Sequence, residues 1–329
     1  MDVLDRLRLD VPVVQAGMGG GIAGPDLAGA VAAAGGLGTL ALAPPDRWRS
    51  GLQQVRDRAP GRSVAVNLLM PFVHRDNVDA CVAGKADVAV LFFGGDAGLV
   101  RTLQDAGVFV VSQVGTRSEA AEAVGWGVDA LIAQGAEAGG HLLGREPALS
   151  FLPKALVIAG SVPVFVAGGI ATRADTDRAL AAGAAGVVAG TRFLLTHEAR
   201  AHPAYQARVL AADDTIETTL FGLGWPARHR VVANAATRRW LRSDGSVRRL
   251  PALVNSMSGP IGRIVTDGIA ARLPRAQRAW LPLLSPAPPV AGMPDDTVEH
   301  TALYAGETAV RIDSLVSAAE AVALLAPGA

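Results

Sequence analysis

Val128-Asp129-Ala130-Leu131-Ile132-Ala133-Gln134-Gly135-Ala136-Glu137-Ala138-Gly139-Gly140-His141 is the stretch on which the fold turns. Val128 to Ala133 is a short apolar run and reads as a buried strand. It stops at an amide, and the glycines that follow bring bare backbone close to something flat or bulky. A histidine comes at once after them. It is expected on a loop, where a titratable group can reach a ligand.

The same period extends in both directions. Apolar runs at 11–15, 37–42, 63–68, 87–93, 108–113, 128–133, 162–167 and 184–189 read as strands. Helix-like segments separate them at 25–34, 51–58, 77–83, 97–106, 118–126, 149–159 and 172–182. Pro25 suits a first helical turn, Gly35-Gly36 ends that helix, and Ser118 is the expected N-cap of another. Continuous apolar strands suit a parallel sheet covered on both faces. Eight βα-type units in about 200 residues predict an α/β fold, a TIM (β/α)8 barrel with a smaller, mainly helical appended domain. A doubly wound open sheet is the alternative. The expected division is a barrel over 1–210, a mainly helical substrate or lid region over 211–310, and a C-terminal helix over 311–329 packing back on the barrel. Asp213 to Trp240 reads as helix-rich and Ser285 to Pro294 as a proline-rich loop, a lid or an interface.

Composition narrows the function. Half of the 329 residues are apolar, and Lys plus Arg balances Asp plus Glu at 30 each. That balance gives no support to a nucleic-acid partner. Arg238, Arg239, Arg242, Arg248 and Arg249 cluster and read as a solvated helical surface. The single cysteine, Cys81, has no partner for an internal disulfide and reads as a buried spectator. No secretory leader and no membrane-spanning run is apparent, so a cytoplasmic protein is expected.

Function in such a barrel sits on the loops after the strands. Gly168-Gly169 and Gly190-Thr191 follow the seventh and eighth strands, the usual place for a phosphate held by backbone N–H groups. Tight βα turns are the other reading of these glycines. Amides lie at other strand ends: Gln15, Asn67, Gln113 and Gln134. Neutral donors and acceptors of this kind suit a heteroaromatic ring. Gly17 and Gly19 are followed by Ile22, which breaks the G-x-G-x-x-G dinucleotide fingerprint, and no paired carboxylates face the pocket. No metal site is expected. His141 is the acid–base candidate; Glu137 is read as structuring its loop. His74 reads as a pocket edge or a surface residue, and His197, His202 and His229 as peripheral.

Taken in order, Gln15-Ala16-Gly17-Met18, Ala33 through Gly38, Val66-Asn67-Leu68, Gln134 through His141, Ala167-Gly168-Gly169-Ile170 and Gly190-Thr191-Arg192-Phe193 resemble the nitronate monooxygenase (2-nitropropane dioxygenase) family. That family also contains FMN-dependent enoyl-acyl-carrier-protein reductases. The resemblance covers residues 3 to 210 and continues loosely through Asn255-Ser256-Met257-Ser258-Gly259.

It implies FMN as cofactor. Asn67 and Gln134 would contact the flavin ring, with Met18 and Gly139 against it. Gly168, Gly169, Gly190 and Thr191 would hold the phosphate. Gln15, Gly17, Gln113 and Gly140 complete the expected cofactor set, and His74 and Ser256 the expected substrate set. His141 would be the catalytic base. The implied reaction is oxidation of alkyl nitronates with O2 to a carbonyl compound and nitrite. NAD(P)H-dependent reduction of enoyl thioesters or quinones is the alternative. The best-known bacterial nitronate monooxygenases carry Pro where this chain has Gly17; Gly there occurs in the reductase branches. The expected partners are a small-molecule substrate and O2, in a possible homodimer. Arg228, Arg230, Arg238 and Arg239 are candidates for a basic groove taking an acyl carrier or a dinucleotide.

Overall fold

A computed structural model describes residues 2–259 and 273–328 of the chain, so residues 260–272 of the expected lid region lie outside the described residues. The chain divides into two compact units. The first takes residues 2–138, 143–199 and 315–328; the second takes Gly139–Leu142 and Arg200–Ser314.

In the first unit a short helix, α1 (Val3–Arg6), leads into strictly alternating elements. These are β1 (Val13–Gln15), α2 (Pro25–Ala33), β2 (Gly38–Leu40), α3 (Pro45–Arg58), β3 (Val64–Leu69), α4 (Arg75–Ala83), β4 (Val88–Phe92), α5 (Ala97–Asp105), β5 (Phe109–Val114), α6 (Arg117–Trp126) and β6 (Ala130–Gln134). A two-residue strand, β7 (Gly140–His141), belongs to the second unit. The first then resumes with α7 (Ala148–Ala159), β8 (Val164–Ala167), α8 (Arg173–Ala181), β9 (Gly186–Ala189) and a single turn, α9 (Thr191–Leu194).

Eight strands form one sheet in the order β1-β9-β8-β6-β5-β4-β3-β2, every pair parallel. A parallel bridge between Val14 and Leu37 brings β1 back to the β2 side. Leu37 N–H donates to Val13 O and Gln15 N–H to Leu37 O, each at 2.9 Å. The sheet is therefore a closed eight-stranded α/β barrel, as the sequence pattern requires. Alternate residues point inward. Val88, Val90, Phe109, Val111, Ala130, Ile132, Phe165 and Ala167 fill the interior, and Leu7, just after α1, joins the same cluster.

Local chemistry sets the element ends. Helix α3 begins at Pro45, earlier than the expected Gly51, because Pro supplies the first-turn φ. Thr116, not Ser118, caps α6. Its Oγ1 accepts the Glu119 N–H at 3.3 Å, while Glu119 returns a carboxylate to the Gly115 and Thr116 N–H groups at 2.8 and 3.0 Å. That reciprocal box outcompetes Ser118, whose hydroxyl turns to Glu122 in the next turn. Asp175 does the same for α8, accepting the Ala171 and Thr172 N–H groups at 2.9 Å. The C-terminal helix, Ala318–Leu325, starts from Ser317 as N-cap and packs against α2 and α8.

The second unit has more helix than strand, yet Asp213 to Trp240 is not helix-rich as expected. It contains β10 (Ile216–Thr218), β11 (His229–Val231) and only one helix, α11 (Ala235–Trp240). The strands β10, β11 and β7 form a three-stranded antiparallel sheet. Strands of two or three residues carry too little periodicity to be read from sequence. Helices α10 (Pro203–Leu210) and α12 (Arg249–Met257) complete the unit's longer elements. The proline-rich segment is tied down within it: Ser285 N–H donates to Gln277 Oε1 at 2.8 Å, Pro286 O accepts the Tyr304 hydroxyl at 2.8 Å, and Val290 bridges Ala201.

Cys81 is fully buried and its thiol is pushed up to about 12 by that burial, which leaves it inert. Among the described residues no helix is long and apolar enough to cross a membrane.

Gly38 shows how closely the barrel is packed. A Cβ there would lie 2.0 Å from the Ala28 carbonyl oxygen of α2, and neither atom can move without displacing backbone. G38A is expected to lower the unfolding free energy by about 1–3 kcal/mol or more, read as a reduced denaturant midpoint.

Candidate active site

The segment after β6 is built by glycines and two acceptor side chains. Gln134 is buried, and its Oε1 accepts the Leu143 N–H at 2.7 Å. A Cβ on Gly144 would lie 2.2 Å from the Gln134 carbonyl oxygen, and one on Gly115 2.1 Å from Gly144 N. The β5 and β6 ends are thus locked backbone against backbone. Glu137 structures this segment, as expected. Its carboxylate accepts the Ala148 N–H at 2.9 and 3.2 Å, where α7 begins and the helix dipole favours an anion. Gly168 and Gly169 both have positive φ, +113° and +73°, and the space their side chains would take is bounded by Glu137.

Other strand ends supply the remaining candidates. Asn67 on β3 is 8 % exposed, and a Cβ on Gly17 would collide with it at 2.5 Å, so only glycine fits at 17 beside this amide. Met18 and Gln113 are half-buried. Gly190 starts α9 at the end of β9, next to β8, and a Cβ there would meet only the Ala16 Cβ, at 3.8 Å. Gln15 is different. It is completely buried; Oε1 accepts the Thr39 N–H at 2.9 Å and Nε2 bonds the Ala16 carbonyl. A side chain with no surface has nothing to offer a ligand, so Gln15 belongs to the barrel wall.

His141 is not on a loop. It lies on β7, opposite His229 of β11 in the antiparallel register. Antiparallel pairing places such side chains on one face. The two rings are 5.2 Å apart, edge to face, and Tyr304 is 5.3 Å away. The Trp225 indole stacks on the imidazole at 3.8 Å with 26° between planes. Gly139 makes room beside it: a Cβ there would lie 2.4 Å from Gly306 N.

Burial, with the neighbouring His229 second, holds the His141 pKa well below its ordinary value, so the ring is neutral at pH 7. His229, expected to be peripheral, is fully buried. Its Nδ1 faces Ala227 O at 2.9 Å and its Nε2 accepts the Phe221 N–H at 3.3 Å. Both nitrogens are committed to one neutral tautomer, and burial lowers this ring's pKa to about 4.

The expected substrate residues His74 and Ser256 are both exposed. His74 is exposed at the start of α4, where its N–H donates to Asn77 Oδ1 at 2.9 Å. Ser256 is exposed on α12, and its hydroxyl bonds Leu253 O of its own helix at 2.8 Å. The arginines do not form a free basic groove. Arg228 pairs with Glu217 at 2.8 Å, Arg230 with Glu307 at 3.2 Å, Arg238 with Glu299 at 3.4 Å, and Arg239 lies over Trp240. Sequence reasoning missed His229, Trp225 and Tyr304. They converge only through β11–β7 pairing and the Val231–Tyr304 bridge. Among the described residues no group of His, Cys, Asp and Glu could hold a metal ion.

The barrel agrees with comparison to known proteins. The family model described as nitronate monooxygenase matches residues 3–72 and 61–328. The chain belongs to the nitronate monooxygenase family. A relative from Mycobacterium tuberculosis, named (3aS,4S,5R,7aS)-5-hydroxy-7a-methyl-1-oxo-octahydro-1H-indene-4-carboxyl-CoA dehydrogenase, is 32% identical over 97% of this chain and 92% of its own. A probable nitronate monooxygenase from Bacillus subtilis is 30% identical over 67% of this chain and 76% of its own. The solved structure of nitroalkane oxidase from Streptomyces ansochromogenes superposes with a TM-score of 0.76 at 26% identity, covering 98% of this chain and 96% of that one. This member of the family is an oxidoreductase of the barrel type.

Replacing the buried amide separates wall from site. Q15L strands the Thr39 N–H and is expected to cost about 1–3 kcal/mol in denaturant unfolding. The folded fraction should keep the wild-type elution volume on gel filtration.

Proposed function

We propose that this chain is an FMN-dependent oxidoreductase acting on an acyl-coenzyme A thioester, with His141 as the base that takes the proton from the carbon beside the carbonyl. The observation that carries this reading is the setting of His141. A base must be uncharged to accept a proton, and burial keeps this ring neutral at pH 7. The same neutrality makes the ring a poor holder of a preformed anion. The mycobacterial relative, named for a coenzyme A thioester, matches almost the whole chain, the segment carrying Trp225, His229 and Tyr304 included.

The barrel residues fit FMN. Gly168-Gly169 and Gly190-Thr191 end neighbouring parallel strands, and the open side of Gly190 leaves room for a phosphate against backbone N–H groups. Asn67 and Gln134 are neutral amides suited to the polar edge of an isoalloxazine, with Gly17 packed against Asn67. Gln113 would edge the same ring. Bound there, FMN supplies the two-electron exchange. The protein's part is to hold the phosphate by backbone, to orient the ring by amides, and to accept the proton at the His141 imidazole.

A second reading is oxidation of nitroalkanes or nitronates with O2. It is favoured by the family model and by the nitroalkane oxidase likeness. A neutral nitroalkane is also a carbon acid, and His141 would take its α-proton in the same way.

The purified protein is expected to be yellow, or to become so with added FMN. Mixed anaerobically with acyl-coenzyme A thioesters, its flavin band should bleach; bleaching by propyl-2-nitronate or nitroethane alone moves the assignment to the second reading. A colourless protein that cannot be reconstituted with FMN defeats both.

H141Q is expected to lower turnover by about 10²–10⁴-fold. The pH profile gives the sign. His141 works unprotonated and its pKa is lowered, so the rate should hold as pH falls past the ordinary histidine value and drop only well below 6.5. An acid limb at or above pH 6.5 contradicts the assignment of His141 as a buried neutral base.

A further inference from the structure

The motif Asn255-Ser256-Met257-Ser258-Gly259 stands out in the sequence, yet Ser256 is exposed and turned back on its helix. Its flanking residues are the ones engaged. Asn255 is 3 % exposed, and its Nδ2 donates to Thr219 O and Leu220 O at 2.9 and 3.1 Å. Ser258 is 2 % exposed, and its Oγ accepts the Gly224 N–H at 2.8 Å. Both therefore grip the loop between β10 and β11. Within that loop Trp225 N–H donates to Gly222 O at 3.0 Å and Ala227 N–H to Trp225 O at 2.8 Å. Gly224, at φ +79°, makes the turn that a side chain would strain. The product of these contacts is one indole laid flat on one imidazole, the 3.8 Å stack on His141.

We propose that Trp225, held by Asn255 and Ser258, is a positioning residue that fixes the plane of the His141 ring. This rests on the reading of His141 as the base. Stacking leaves one ring face covered and restricts rotation about the imidazole's last torsion, which is otherwise broad and roughly two-fold. His229 and Tyr304 meet the ring at steeper angles, 61° and 48° between planes. His229 is tied to Ala227 and Phe221, and Tyr304 gives its hydroxyl to Pro286. Arg228 and Arg230 neighbour His229 on β11, but their guanidinium groups are paired with Glu217 and Glu307. Trp225 alone among these side chains lies flat against the ring.

The test uses the full chain with two readouts. The first is the proton NMR spectrum of the histidine rings, with His141 assigned by comparison with H141Q. A ring under an indole face at this distance has its C–H signals shifted upfield. That shift should be present in the wild type, largely kept in W225F, and lost in W225L. S258A, which frees the Gly224 N–H, should reduce it without touching either ring. The second readout is turnover. W225L should lower kcat roughly 10- to 100-fold with little change in KM, as for a misplaced reacting group, and W225F should restore much of it.

If W225L does not fold, W225F and S258A carry both readouts. A folded W225L with wild-type kcat overturns the positioning role while H141Q can still lose turnover. Full turnover in H141Q instead defeats the base, and the stack is then judged by NMR alone, where an absent upfield shift overturns it.

Discussion

The hydrogen bond from Leu143 N–H to Gln134 Oε1 governs the most consequential stretch of the chain. The backbone leaves the barrel unit after Ala138, spends Gly139–Leu142 in the second unit and is back by Leu143. A segment this short has no freedom to spare, because a trans peptide advances each Cα by a fixed step. One buried amide closes the return, and glycines 115 and 144 let three backbone segments meet where any side chain would collide. Glu137 secures the departure by bonding the first N–H of α7. His141 lies within that excursion. Its ring is positioned by strand pairing instead of by loop chance.

Polarity around that ring is met largely by neutral backbone. His229 uses Ala227 O and the Phe221 N–H; Tyr304 uses Pro286 O; Tyr205 uses Tyr304 O. Charges in the same unit are paired among themselves, as in Arg230 with Glu307. The result is a low-dielectric surrounding in which an imidazolium is costly, the direction in which both His141 and His229 are moved. A loop histidine in water would titrate near neutrality and lose its capacity as a base under mildly acidic conditions.

Much of the barrel was legible because its strands are continuous apolar runs and its helices carry their own start and stop signals. All eight expected strands overlap observed ones, and the capping boxes at Thr116 and Thr172 are written in neighbouring residues. Errors of one or two residues, such as Ser118 for Thr116, arise where two hydroxyls compete for one cap. In the second unit the signal fails. Strands β7, β10 and β11 have two or three residues each, too few for a period of two to show. That Asn255 and Ser258 are the buried members of their motif and Ser256 the exposed one depends on which side of the helix is covered, which residue type does not reveal.

By itself, the sequence determined an eight-unit parallel barrel, the glycines at its strand ends and the histidine that follows Gly140. Each of these depends on residues close together in the chain. Tertiary structure alone decided that Gln15 is wall and Gln134 a clasp. It also decided that His229 stands opposite His141 and that Trp225 lies on its ring. The last two depend on bringing together residues about ninety positions apart and the first two on burial, both properties of the packed chain.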